Sequence, residues 1–181
     1  MRRLKVVRGR GRLAGGILMA ILAIGVCAQE TRLLEWRMAT DAELRSVIPA
    51  RAPVVQERIE TEMRSASGIT NGHGKYVAGV VLITAGYSAE GKYSHFFLTQ
   101  IPIKLGTDTR LAPGEYVIGY EHSENGLLIH FYDAATGKPA GTVQATLLTG
   151  TSRVESFRIW PPTERATIQI GRFGFSYQIG S

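Results

Sequence analysis

The stretch Glu115–Asp133, EYVIGYEHSENGLLIHFYD, limits what this chain can fold into more than any other. In its first half Tyr116, Ile118 and Tyr120 fall on one side of an extended backbone and Val117, Gly119 and Glu121 on the other, because side chains alternate along a strand. The second half, Leu127–Tyr132, is made of branched and aromatic residues suited to a pleated, part-buried surface. Between them Ser123-Glu124-Asn125-Gly126 supplies Asn-Gly, the pair that most readily takes positive φ in a hairpin turn. The cluster reads as a loop longer than two residues, which leaves the turn type open.

Similar strand–turn units stand on both sides. Tyr76–Thr84 is nearly all apolar, as expected of a strand buried on both faces. In Lys92–Ile103 one face carries His95, Phe97, Thr99, Ile101 and Ile103, and Pro102 marks an edge or a strand end. Gly141–Leu148, Arg153–Trp160, Arg165–Ile170 and Phe173–Ile179 follow. In Arg165–Ile170, Ala166, Ile168 and Ile170 alternate with Arg165, Thr167 and Gln169, a half-exposed pattern. The expectation for residues 75–181 is a mainly β domain, an antiparallel β-sandwich (or partly open barrel) of about eight strands.

Two short N-terminal helices are expected ahead of it, in a segment 29–74 packed on the domain. Thr40 and Glu43 fit a capping box, Leu44, Val47 and Ile48 form an apolar stripe, and Pro49 ends the first helix. The second would open at Pro53, with Val55, Ile59 and Met63 every four residues on one face. Glu60–Arg64 and Arg58–Glu62 would be its i,i+4 pairs.

Residues 1–12 hold six Lys or Arg and no acid, and Leu13–Val26 is a short apolar run ending at Cys27-Ala28. A basic start, an apolar centre and small residues before Gln29 describe a signal peptide spanning 1–28, with Val26 and Ala28 at its cleavage site. A retained membrane anchor is the alternative, but a span needs about 20 apolar residues. The expected location is therefore periplasmic or extracellular, with no membrane span after processing. Ile24-Gly25-Val26-Cys27 resembles a lipobox, so a lipid anchor on Cys27 is the minority alternative. Arg2-Arg3 alone gives little support to twin-arginine export.

The whole chain of 181 residues carries a formal charge of +6, but without residues 1–28 fifteen basic and fifteen acidic residues remain. The excess positive charge belongs to the leader, and no basic run follows that would serve nucleic acid as a partner. Cys27 is the only cysteine. A cleaved chain has neither a disulfide nor a thiol nucleophile.

Reactive motifs are sparse. Val80–Gly91, VVLITAGYSAEG, is similar to a nucleophile elbow around Ser88, but Glu90 stands where the second glycine belongs and a strand, not a helix, follows. Asp108 with His122 or His130 would supply the remaining triad order. His73, His95, His122 and His130 show no HxH or HExxH spacing. A metal would need His95, His122 and His130 to converge with Glu121. No phosphate loop, Rossmann fingerprint, zinc spacing or N-glycosylation triplet is present, so no cofactor and no catalytic residue is assigned. Tyr93, His95, Tyr116, Tyr120, His130 and Tyr132 are the candidate binding residues, their rings offering apolar area with a polar handle. Core packing is the bland reading of the same residues.

Leu111-Ala112-Pro113-Gly114-Glu115-Tyr116 resembles the L-x-P-G-x-Y lead into a strand found in carboxypeptidase-regulatory, transthyretin-like sandwiches. Asp133-Ala134-Ala135-Thr136-Gly137-Lys138-Pro139 resembles their D-x-x-T-G-K-P turn, in inverted order along the chain. The resemblance implies a sandwich and a non-catalytic accessory or envelope role. The functional expectation is thus an exported, non-catalytic module with a binding or structural role, whose partner is a protein or small ligand. The alternative is a hydrolase or metal-dependent enzyme using the histidines.

Overall fold

A computed structural model describes residues 36–84, 92–150 and 153–180, which belong to one compact unit spanning 34–181. Its elements are β1 (Arg37–Met38), α1 (Asp41–Val47), β2 (Arg51–Val54), β3 (Glu57–Thr70), β4 (Tyr76–Leu82), β5 (His95–Thr99), β6 (Ile103–Leu105) and β7 (Thr109–Leu111), then β8 (Gly114–Ser123), β9 (Gly126–Asp133), β10 (Pro139–Leu147), β11 (Glu155–Ile159), β12 (Thr167–Gly171) and β13 (Phe173–Ile179). The strands pair antiparallel in the order β1-β3-β4-β5-β8-β9-β10-β13-β12-β11, with β2 added to β3 and the β6–β7 hairpin added to β13. The result is a mainly β fold, one antiparallel sheet curled into a half-barrel.

The β8–β9 hairpin forms as its alternation requires, with Tyr116 opposite Asp133 and Ser123 opposite Gly126. Its loop is shorter than the sequence suggested, only Glu124 and Asn125. Gly126 takes the positive φ, 134°. A Cβ there would stand 2.2 Å from the Ala145 carbonyl of the next strand, so glycine is required twice over.

The curl encloses the larger core. Phe97, Ile118, Ile129 and Phe131 meet Phe157, Ile159, Ile168 and Phe175 across it. The outer face of β4, β5 and β8 carries a second core, in which Leu44 and Ile48 from the helical segment and Ile59 from β3 cover Val80, Phe96 and Val117. Strand β4 is consequently buried on both faces, as its apolar run implied.

The capping box of α1 is present: the Thr40 hydroxyl accepts from Glu43 N–H, and the Glu43 carboxylate accepts from Thr40 N–H. Arg37 adds a pair of hydrogen bonds to the same carboxylate, at 2.7 and 2.9 Å. With Arg37 as the first cause and the Thr40 backbone bond as the second, Glu43 is held at about 2.

The second helix is not there. Thirteen strands and one helix stand among the described residues, against about eight strands and two helices expected. Residues Arg51–Val54 and Glu57–Thr70 form a hairpin instead. A four-residue spacing is nearly one helical turn but is also two strand repeats, so Val55, Ile59 and Met63 satisfied both periods. Thr61 decides between them. It would lie opposite Ile59 on a helix, yet in β3 it shares Ile59's face and is buried, with its hydroxyl donating to the Pro49 carbonyl at 2.9 Å. The pairs Glu60–Arg64 and Arg58–Glu62 therefore do not arise, and Glu60 pairs across to Arg51.

Two further expectations are corrected. Lys92–Ile103 is not one strand, because the Thr99 hydroxyl donates to the Ile101 carbonyl at 2.6 Å and turns the chain between β5 and β6. Strand β12 is not half-exposed. Ile168, Gln169 and Ile170 are all buried, and Gln169 is admitted because its amide is fully engaged (below).

Candidate functional site

Where β11, β12 and β13 fold over β4, β5 and β8, a groove of about 570 Å³ opens. Tyr93 and Ser94 come from the lead into β5 and His95 from its first position, Tyr120 and His122 from the end of β8, and Val154, Ser156, Arg172 and Phe173 from the opposite wall. His95 lies on the floor. Its ring stands 5.3 Å from that of Phe157 and 6.3 Å from that of Tyr120. Phe157 can lie flat there because Gly79 has no side chain; a Cβ on Gly79 would stand 2.6 Å from the Phe157 ring.

Both imidazole nitrogens of His95 are engaged internally. Nε2 lies 3.2 Å from the Ser156 carbonyl, which can only accept, so this nitrogen carries the proton. Nδ1 is then the acceptor, 2.8 Å from Ser94 Oγ, a tautomer assigned from its partners. Burial disfavours the charged ring and lowers its pKa to about 4, against a smaller upward pull from the Ser156 carbonyl. At neutral pH His95 is an uncharged ring in an aromatic wall.

Of the six residues singled out in the sequence, three share this groove: Tyr93, His95 and Tyr120. Tyr116 is buried in the larger core, its hydroxyl donating to the Ala112 carbonyl at 2.8 Å. That bond spans the Leu-Ala-Pro-Gly-Glu-Tyr motif and explains it as a structural corner. Burial raises the Tyr116 pKa, with the charge of Asp133 adding to the shift. Asp133 organises the other motif, accepting from Thr136 N–H and Oγ1 at 2.8 Å each. These two bonds lower its pKa.

His130 and Tyr132 lie together on the outer face of β9. His130 Nε2 is 3.2 Å from Glu121 Oε1, and the Lys92 ammonium stands 4.4 Å over the Tyr132 ring. His95, on the floor of the groove, does not join them, and no cluster of three or more metal-ligating side chains occurs among the described residues. Ser88, the centre of the elbow-like motif, lies outside the described residues; β5 follows it as a strand.

Ser94, Val154, Arg172 and Phe173 were missed as groove residues. Only the pairing of distant strands brings them to it, though Ser94 beside His95 was a local signal. No helix among the described residues is long and apolar enough to cross a membrane. Comparison of the chain with protein-family models, with curated proteins and with solved structures finds no match.

Proposed function

We propose that this chain is an exported, non-catalytic β-module of the cell envelope or secreted fraction, whose groove over His95 takes a small apolar or aromatic ligand. The observation that carries the reading is the state of His95. Neutral, buried and bonded at both nitrogens, it contributes an aromatic surface to the groove and has little basicity left for proton transfer. The groove's size falls within the range of small-molecule sites, which are mostly apolar with a few polar groups for orientation. Tyr120 and Phe173 supply apolar area, and Arg172 and His122 are among the polar groups that line it.

Titration with the fluorescent probe N-phenyl-1-naphthylamine tests it. Saturable binding that Tyr120→Ala weakens about tenfold, a loss of about 1.4 kcal/mol, supports the groove. Equal binding by the variant sinks it. Export is tested separately by the N-terminus of the protein recovered from cells: a chain beginning at Gln29 fits the signal peptide, and a lipid-modified Cys27 fits the lipoprotein.

One observation favours a second reading. Ser94 Oγ lies 2.8 Å from His95 Nδ1, the distance of a nucleophile–base pair, with a backbone carbonyl in place of the orienting carboxylate. Against it, a base near pKa 4 accepts a proton poorly at neutral pH. Turnover of a p-nitrophenyl ester that Ser94→Ala abolishes, with the fold intact, would establish the hydrolase instead.

A further inference from the structure

A second hollow, about 270 Å³, shares no lining residue with the groove and holds Arg153, Arg158, Arg165 and Trp160. The guanidinium of Arg165 lies 4.6 Å from the Trp160 ring centre and that of Arg158 lies 5.1 Å from it, so the indole holds both cations in place. The indole is itself fixed. Trp160 Nε1 donates to Gln169 Oε1 at 3.1 Å. The Gln169 amide nitrogen donates to the Arg153 carbonyl at 3.2 Å and to the Gly171 carbonyl at 2.9 Å. Gln169 is only 1% exposed. A buried, fully bonded amide thus ties together the backbone of one arginine and the ring that carries two others. This is the support a preorganised binding site needs.

Glu155 is the one carboxylate lining the hollow, 3.2 Å from Arg153. Three guanidinium groups against one carboxylate leave two positive charges, and Arg158 Nε is buried with no hydrogen-bond partner among the described residues. A buried donor without an acceptor is costly, and a bound oxyanion would satisfy it. Planar guanidinium groups suit carboxylate and phosphate oxygens. The charge selects between them, since a phosphomonoester carries about −1.5 to −2 at neutral pH and a carboxylate or sulfate ester carries one charge. The small volume suits a compact group. We infer that the Arg153–Arg158–Arg165 hollow binds the phosphate of a phosphomonoester, gripped by guanidinium groups that Trp160 and Gln169 hold in position.

The experiment is calorimetric titration of the full chain with inorganic phosphate and glucose 1-phosphate, and sedimentation with phosphatidylcholine vesicles containing phosphatidic acid or none. Saturable phosphate binding is expected, at least tenfold tighter than acetate at equal ionic strength. Arg158→Gln and Arg165→Gln should each weaken it at least tenfold, while Arg110→Gln, outside the hollow, leaves it unchanged. Circular dichroism confirms that each variant is folded. Binding to glucose 1-phosphate assigns the site to soluble esters, and co-sedimentation only with phosphatidic acid assigns it to a lipid headgroup. No saturable binding in any arm, or binding that both arginine variants retain, overturns the proposal. Because Tyr120→Ala leaves the hollow intact, loss of probe binding there bears on the groove alone.

Discussion

The groove and the arginine hollow share strands β11 and β12, yet they treat charge in opposite ways. Val154, Ser156 and Ile170 line the groove, and Arg153, Glu155 and Gln169 line the hollow. The alternation of a strand divides them. A register irregularity between Glu155 and Arg158 then changes which residues face outward, so that Arg158 and Trp160 join Arg153 and Glu155. On the groove side the titratable ring at the floor is neutralised by burial. On the other side three guanidinium groups gather around an indole and an amide that order them. One buried polar residue anchors each: His95 between Ser94 and Ser156, and Gln169 between Trp160 and Arg153.

The largest test of this contrast is Phe157→Ala. Phe157 is 3% exposed and joins the core to the His95 ring, so its loss is expected to cost about 3–5 kcal/mol in chemical denaturation. The same change admits water to His95 and should move its pKa up toward 6.5, which NMR titration reads directly. An unchanged pKa would mean that something other than this packing keeps the ring neutral.

Acid comes next. His95 has an ordinary value of 6.5 in the unfolded chain and about 4 in the folded one. Between those values the unfolded state binds more protons, so stability rises with pH and is lost as pH falls from 6.5 to 4. The full span corresponds to about 3 kcal/mol. Tyr120, His122 and Arg172 line the same groove, and His95→Gln should flatten this part of the profile. A profile that remains as steep in the variant would assign the loss elsewhere.

Gln169→Leu is expected to cost about 1–3 kcal/mol, because it strands the Trp160 indole N–H and two carbonyls. It should also broaden the near-ultraviolet dichroism of Trp160 while leaving the His95 pKa in place. The smallest effect belongs to Arg153→Gln. Its bond to Glu155 is made by a side chain 85% exposed, and pairs of that kind contribute about 0–1 kcal/mol. A larger stability change would show that the hollow is structural and not a surface site.

Much of the fold was legible where a segment carries its own period. The β8–β9 alternation, the Thr40–Glu43 cap and the apolar run of β4 all survive in three dimensions. The β2–β3 hairpin was not, because the spacing of Val55, Ile59 and Met63 fits helix and strand alike. Val55 at φ 58° also turns the chain where glycine is preferred. Strands β1, β6 and β7 are two or three residues long, too short to alternate visibly. The groove was half legible: Tyr93, His95 and Tyr120 were singled out for chemical type, but their company from β11 to β13 depends on long-range pairing. In the hollow, Arg153, Arg158 and Arg165 bracket Trp160 in sequence, and that spacing was the available signal.

The hydrogen bond from Ile159 N–H to Ser67 Oγ, at 2.9 Å, has a consequence for how the molecule meets its neighbours. An open sheet margin is a template on which a foreign strand adds, the first step of many fibrils. Here β11 ends the strand order and lies against β3 and β4, and two of its main-chain groups, Ile159 N–H and Ser156 C=O, are already occupied by Ser67 and His95. The histidine on the groove floor therefore also helps to guard this margin, so losing it would leave the chain more prone to aggregate.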